Sequence, residues 1–356
     1  MSTIQDVAAR AGVSVSTVSN VLNGREGRMR PETLNRVRLA ISDLGFRPNQ
    51  SARRLKTGHV PMIGLMVPSI ANPYFGVLAR WVEAAAQEQG YGLLLCNTYR
   101  EPEREREYAE AFMSQGVKGV ILGSALAAHE HLLPLVDDGL AAVSLDRAQV
   151  SDGLVRDFVS VDNRLAGSMA VDYLIGLGHR HIAFVSAPAK SMNRIARVEG
   201  AKAACERAGA TLDVHIGAVD ADYTESEMAE LGRQAAHDIL SSDSPATACV
   251  GVNDMIAIGL LAGFRQCAQR IPIDVSVMGI DGIYLGNYVS PTLTTVGQPM
   301  EAMARVAVDH VLKRMKNPEL PMQESIFEPQ LIVRASTGPI AGSAPDHSSA
   351  PACSRV

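Results

Sequence analysis

The sequence predicts an all-α helix-turn-helix module followed by an α/β body of two doubly wound parallel sheets. Three observations predict this. The first 60 residues hold apolar-periodic helical stretches with caps and no strand-like run. From Val60 onward, short apolar runs alternate with amphipathic stretches. That alternation persists for about 270 residues, long for one sheet, so two doubly wound halves are expected.

Thr3 opens the first helix, with Asp6 three residues on in the manner of a capping box. Ile4, Val7, Ala8 and Ala11 recur at helical spacing and Gly12 ends the stretch. Ser14 or Val15 starts a second helix that turns Val15, Val18, Val21 and Leu22 inward and stops at Asn23-Gly24. A third begins at Pro31, with Leu34, Val37, Ala40, Ile41 and Leu44 as its stripe. Arg47-Pro48 leads into Asn49–Lys56, a helical pattern too short to be stable in isolation.

In the body, strands are expected at Met62–Val67, Gly92–Cys96, Gly119–Gly123, Ala141–Leu145, Phe158–Val161, His181–Val185, Ala248–Val252 and Val275–Ile280. Helices are expected at Tyr74–Gln89, Glu103–Gln115, Arg164–Leu177, Arg194–Gly209, Glu227–Ser241, Asp254–Ala268 and Met300–Met315. Ligands of such sheets bind beyond the strand carboxyl ends, so the loops there are where function is sought. Residues 339–356, rich in Ser, Ala and Pro, read as a flexible tail.

Composition narrows the function classes. Hydrophobic content of 47% and charged content of 20% are those of a globular protein. The longest apolar runs, such as Val60–Val67, fall short of the roughly 18 residues of a membrane span. The polar N-terminus is unlike a secretory signal, so a cytoplasmic location with no membrane partner is expected. Five scattered cysteines without a CxxC pair point away from disulfides and zinc. His179 and His181 precede a strand and read as structural; no metal site, cofactor or catalytic order is expected. Net charge is −5, yet residues 1–60 carry ten basic and four acidic side chains, so one end is basic and the rest acidic. That distribution focuses phosphate attraction on the N-terminal module.

Helix, tight turn and helix within about twenty residues is the plan by which a second helix enters the major groove. Val15, Ser16, Thr17, Ser19 and Asn20 lie near the start of that helix. Val suits a thymine methyl, Asn an adenine edge, and the hydroxyls suit bases or phosphate.

The run Thr3–Ala8, then Ala11-Gly12-Val13-Ser14 and Ser16–Asn23, closely resembles the headpiece of the LacI/GalR repressor family. The likeness continues through Pro31-Glu32-Thr33, Leu44-Gly45-Phe46, Pro48-Asn49 and Ala52–Leu55. In the body it takes in Asn72–Phe75, Asp146-Arg147, Val161–Asn163, Gly178–Ile182, Arg197, Asn253–Gly259, Gly279–Asp281 and Leu293–Val296. It covers about 1–338. The resemblance implies a homodimeric regulator, most often a repressor, on palindromic operator DNA, without catalysis. It implies a headpiece at 1–47, a hinge helix and linker at 48–59, and an effector and dimerisation domain at 60–338 similar to periplasmic sugar-binding proteins. The expected DNA-binding residues are Thr3, Ser14, Val15, Ser16, Thr17, Ser19, Asn20, Asn23, Ala52, Arg53, Leu55 and Lys56. Leu55 matches the residue that wedges into the minor groove.

The chain is expected to cross between halves near Asp162–Asn163, Pro291–Thr295 and Pro321–Ser325. The halves are then 60–162 with 295–322, and 163–291 with 325–338. Asn72, Tyr74, Phe75, Asp146, Ser191, Asn193, Arg197, Tyr223, Asn253 and Asp281 are the expected effector contacts, and Asp254 has either a cap or a pocket role. Three departures stand out: Gly282 follows Asp281, Met228 replaces a common glycine, and Arg30 replaces a small cap. Arg194 adds a cation near the site. The effector reads as a sugar or sugar derivative first, and a nucleobase or nucleoside second. The alternative is a ligand-binding protein or enzyme on the same body, its N-terminal module serving only assembly. The apolar face of Val77, Leu78, Trp81, Val82 and Ala85 divides between core and dimer interface.

Overall fold

The computed structural model describes residues 2–22, 29–46, 61–123, 126, 129–145, 157–188, 191–217 and 224–340. Asn23, Asn49–Lys56, Asp146 and Tyr223 lie outside the described residues. The chain divides into two compact units, Met1–Val60 and Pro61–Val356.

The first unit contains helices α1 (Ile4–Ala11), α2 (Val15–Leu22) and α3 (Pro31–Asp43). The capping box forms: Asp6 N donates to Thr3 Oγ1 at 3.2 Å, and Thr3 N donates to Asp6 Oδ2 at 2.7 Å. Gly12 closes α1 at φ 63°, a left-handed cap favoured by glycine. Ser14 Oγ accepts from Thr17 N and starts α2. Arg30 makes no side-chain cap bond, and α3 relies on Pro31 at its first position. Val7, Ala8, Ala11, Val18, Val21, Val37 and Ala40 are the core. The small residues in this set let short helices meet closely.

The second unit holds two six-stranded sheets. The first has the order β11-β5-β4-β3-β1-β2 and is wholly parallel. Its strands are β1 (Met62–Val67), β2 (Gly92–Asn97), β3 (Gly119–Leu122), β4 (Ala141–Ser144), β5 (Asp157–Val161) and β11 (Gln323–Phe327). The second has the order β12-β10-β9-β8-β6-β7, parallel except for β12. It comprises β6 (His181–Ser186), β7 (Thr211–Ile216), β8 (Ala248–Gly251), β9 (Ser276–Asp281), β10 (Thr294–Gly297) and β12 (Gln330–Ile332).

Helices cover both faces of each sheet. On the first, α4 (Pro73–Glu88) and α11 (Met300–Lys316) bury Leu78, Val82, Ala304 and Val308 on one face, and α5 (Pro102–Ser114) buries Ala109 and Phe112 on the other. On the second, α7 (Asn163–Gly176) with α8 (Met192–Ala208), and α9 (Glu225–Leu240) with α10 (Asp254–Gln266), do the same. A short α6 (Leu133–Asp137) follows a 3₁₀ turn at Glu130–Leu132. Of the expected mixed face of α4, Leu78, Val82 and Ala85 are core while Val77 and Trp81 are half-buried.

The first crossing lies at Asp162, between β5 and α7, but the other two need correction. β10 pairs with β9, so the second crossing follows Gly297, not Pro291–Thr295. β11 pairs with β5, so the third falls at Glu328–Pro329, not Pro321–Ser325. The cause is Asp157. Its buried carboxylate takes two bonds from Arg314 of α11, at 2.7 and 2.9 Å, and one from Gln323 N at 2.9 Å, which draws residues 323–327 alongside β5. Residues 339 and 340 pack on the body instead of belonging to a flexible tail, and residues 341–356 lie outside the described residues. Gly338 O accepts from His179 Nε2 at 3.1 Å, and Ile340 N donates to Leu177 O at 3.2 Å.

Candidate functional site

Two sites emerge, one in each unit. In the first unit, Thr3, Ser14, Val15, Ser16 and Asn20 are exposed, and Thr17 and Ser19 are half-buried. Val15 is 42% exposed although it opens a helix whose other valines, Val18 and Val21, are core. Ser14 and Thr17 share a 2.9 Å hydroxyl bond, and Thr3 Oγ1 also donates to Asp6 Oδ2 at 2.8 Å. The outward face of α2 therefore presents short polar groups and one apolar side chain on a rigid helix. That surface is suited to base edges and phosphates.

In the second unit, a cleft opens where loops from both sheets meet. Its walls include Asn72, Tyr74, Phe75, Ser191, Asn193, Arg197, Asn253 and Asp281, so the structure gathers all eight of the described effector candidates. At its centre, Arg197 Nη2 lies 3.1 Å from Asp281 Oδ1, with both side chains about nine-tenths buried. Arg197 also donates through Nε to Asn163 Oδ1 at 2.8 Å and through Nη1 to Val252 O at 2.7 Å. Asn163 Nδ2 in turn donates to Asn193 Oδ1 at 2.7 Å. The guanidinium is thus clamped in one orientation, as recognition of a ligand hydroxyl or carbonyl requires.

Local capping explains several of the other positions. Asn72, Ser191 and Asn253 are the N-caps of α4, α8 and α10, accepting from Tyr74 N, Arg194 N and Ile256 N. Each cap holds a polar side chain at a helix start that faces the cleft, so cap and pocket roles coincide. Asp254 is neither cap nor wall. Fully buried, it accepts from Thr295 Oγ1 at 2.6 Å and Ile283 N at 2.8 Å, and it pins the β9 loop to β10. Burial, with the Asp281 carboxylate close by, pushes its pKa up to about 7. Burial also raises Asp281, while Arg197 and Gln298 pull it back.

At the end of β9, Asp281 sits at φ 141°, a strained value for a residue with a side chain, and Gly282 follows at φ 77°, which glycine adopts freely. A Cβ at residue 282 would come within 2.8 Å of Gly297 Cα, which explains glycine there. The cleft also contains Gln298, which the sequence reading missed. Gln298 Nε2 donates to Asp281 Oδ1 at 2.8 Å, and its Oε1 accepts from Tyr74 OH at 3.0 Å. Tyr74 packs edge-on to Phe75 with ring centroids 5.1 Å apart. Gln298 lies on the second crossing and bridges a wall from each half. Placing that crossing before β10 hid the only available signal. Arg100 and Arg194 also line the cleft.

Comparison with known proteins identifies the family. Residues 3–49 match the family of bacterial regulatory proteins, lacI family, and residues 171–337 match a periplasmic binding protein-like domain. The chain is 30% identical over 341 residues to the HTH-type transcriptional regulator DegA of Bacillus subtilis, covering 95% of this chain and 98% of that protein. It is 32% identical over 340 residues to the ribose operon repressor of Escherichia coli, covering 94% and 100%. A LacI family transcriptional regulator from Enterococcus faecium, crystallised with bound ribose, superposes with a TM-score of 0.69 at 29% identity, covering 78% of this chain and 99% of that one. With a helix-turn-helix whose second helix faces outward and a two-sheet body closing on a clamped Arg197–Asp281 pair, this chain belongs to the lacI family of bacterial DNA-binding transcriptional regulators.

Proposed function

We propose that the chain is a cytoplasmic, homodimeric repressor of a palindromic operator and that a sugar or sugar derivative in the cleft controls its DNA affinity. It acts by binding, without catalysis. The observation that carries this reading is the buried Arg197–Asp281 pair, which faces Tyr74 and Phe75 across the cleft. A charged pair with spare donors and acceptors beside aromatic rings suits vicinal hydroxyls on an apolar ring face. The ribose operon repressor and the ribose-bound regulator support a pentose as the first candidate. The wall cations Arg100 and Arg194 favour a second reading, a sugar bearing a carboxylate or phosphate. A nucleobase or nucleoside comes second to these sugars and sugar derivatives.

Val15, Ser16, Thr17, Ser19 and Asn20 read base edges, and Thr3, Ser14 and Asn23 contact the backbone. Ala52, Arg53 and Lys56 add further DNA contacts, with Leu55 as the minor-groove wedge. Asp146 and Tyr223 complete the effector contacts. Cleft closure moves the two hinge segments of the dimer together or apart. Operator binding to the full chain, measured with and without ribose, ribose 5-phosphate, ribonate and adenosine across a salt series, tests this. Operator affinity should fall steeply with salt, and one compound should change it. Equal affinity for random and operator DNA would refute the regulator reading.

A further inference from the structure

We infer that Glu105, His129 and His131 form a binding site for a divalent transition-metal ion of the zinc class, separate from the effector cleft. Glu105 lies 24 and 26 residues from His129 and His131 in the sequence. α5 is heavily charged on its solvent side, where Glu103, Arg106 and Glu110 form ion pairs, yet Glu105 turns inward and is fully buried. The loop leaving β3 returns above it as the 3₁₀ turn at Glu130–Leu132, which His129 begins. His129 Nδ1 lies 2.8 Å from Glu105 Oε1, and His131 Nε2 lies 3.2 Å from the same oxygen. One ligand atom from each residue falls within 4.8 Å of the other two.

Two imidazoles and a carboxylate are a common donor set for zinc. In a tetrahedral site with metal–ligand bonds of about 2.0–2.1 Å, ligand atoms stand about 3.3 Å apart. The two imidazole–carboxylate spacings, 2.8 and 3.2 Å, are close to this, so an ion enters with a small adjustment of the three side chains. His131 keeps 15% of its side chain exposed, which leaves a route from solvent and a place for water as the fourth ligand. Glu103 lies near enough to His131 for their charges to interact and adds negative potential on that side. The apolar residues Leu132 and Phe112 exclude other water.

The competing role is a metal-free hydrogen-bond clamp between α5 and the turn. Cobalt(II) and zinc titrations of the chelator-treated full chain separate the two. One equivalent of cobalt should give the absorption of a tetrahedral site, and zinc should displace it and raise the melting temperature. Glu105→Gln keeps the shape and the accepting oxygen, so a clamp survives it, but metal affinity should fall about 100-fold; His131→Ala should do the same. His181→Ala, at the separate His181–Asp213 surface pair, should leave the titration unchanged. Circular dichroism and operator binding confirm that each variant is folded. The site is refuted if no saturable equivalent binds, or if Glu105→Gln and His131→Ala bind the ion as tightly as the parent chain.

Discussion

The outward face of α2 and the effector cleft solve opposite problems. On α2 the working side chains are exposed, and Val15 and Asn20 stand on a helix fixed by Val18 and Val21 beneath. In the cleft the side chains are buried or half-buried and bonded to one another, from Tyr74 through Gln298 and Asp281 to Arg197 and Asn163. The DNA-reading role proposed for α2 asks for short polar groups at the surface, within reach of a partner. A cleft that selects a small ligand holds its groups in place beforehand, because an analogue that leaves them unpaired is then rejected. The difference predicts that mutations on α2 cost affinity alone, while mutations in the cleft cost stability as well.

The largest effect should come from Arg197→Ala. It strands the Asp281 carboxylate in a buried site and frees the Asn163 and Val252 acceptors, so denaturant unfolding should show a loss of roughly 3–5 kcal/mol together with loss of effector response. A variant of unchanged stability would break the contrast between the two regions.

The next effect is a pH dependence of a few kcal/mol at most. The pKa of Asp254 is raised on folding, from an ordinary carboxylate value to about 7, so the folded state binds the extra proton. Stability from this group is therefore greatest below about pH 4 and declines as pH rises toward 7. Asp281→Asn removes the neighbouring charge and should move that decline to lower pH. Unfolding curves between pH 4 and 8 for both proteins check it, and superposable profiles would exclude the coupling.

On α2, Asn20→Ala and Val15→Ala should each weaken specific operator binding by about 1–3 kcal/mol. They should shift unfolding by less than about 0.5 kcal/mol. A large stability loss would place these side chains in the core instead. The smallest effect belongs to Thr3→Ala, which removes one cap of α1 and should cost about 1 kcal/mol of headpiece stability. Thermal unfolding of the headpiece transition measures it.

Legibility followed the range of the interaction. Thr3, Gly12 and the apolar stripe of α1 and α2 act within one or two turns, so the helix-turn-helix was readable directly. The long helices and the eight apolar strands were equally plain. Four strands were not. β7 and β11 alternate buried and exposed residues at sheet edges, and β10 and β12 have only four and three residues. Their placement depends on distant partners such as Asp157, which reaches Arg314 and Gln323. Gln298 had no local signature either, because its role comes from the crossing it occupies. Glu105 reads as one more charge in a solvated helix until His129 and His131 arrive from beyond β3.

By itself, the sequence determined that a basic helical module precedes an acidic α/β body, and where the first two helices of that module begin and end. These are matters of periodicity, capping and charge, which neighbouring residues settle among themselves. Only the tertiary structure decided which half owns β10 and β11, that Asp254 pins a loop while Asn253 caps a helix, and that Gln298 joins the walls of the cleft. The deciding bonds join polar groups far apart in the chain, 41 residues for Asp254–Thr295, 157 for Asp157–Arg314 and 224 for Gln298–Tyr74, and the requirement that such groups be paired acts only once the sheets have assembled.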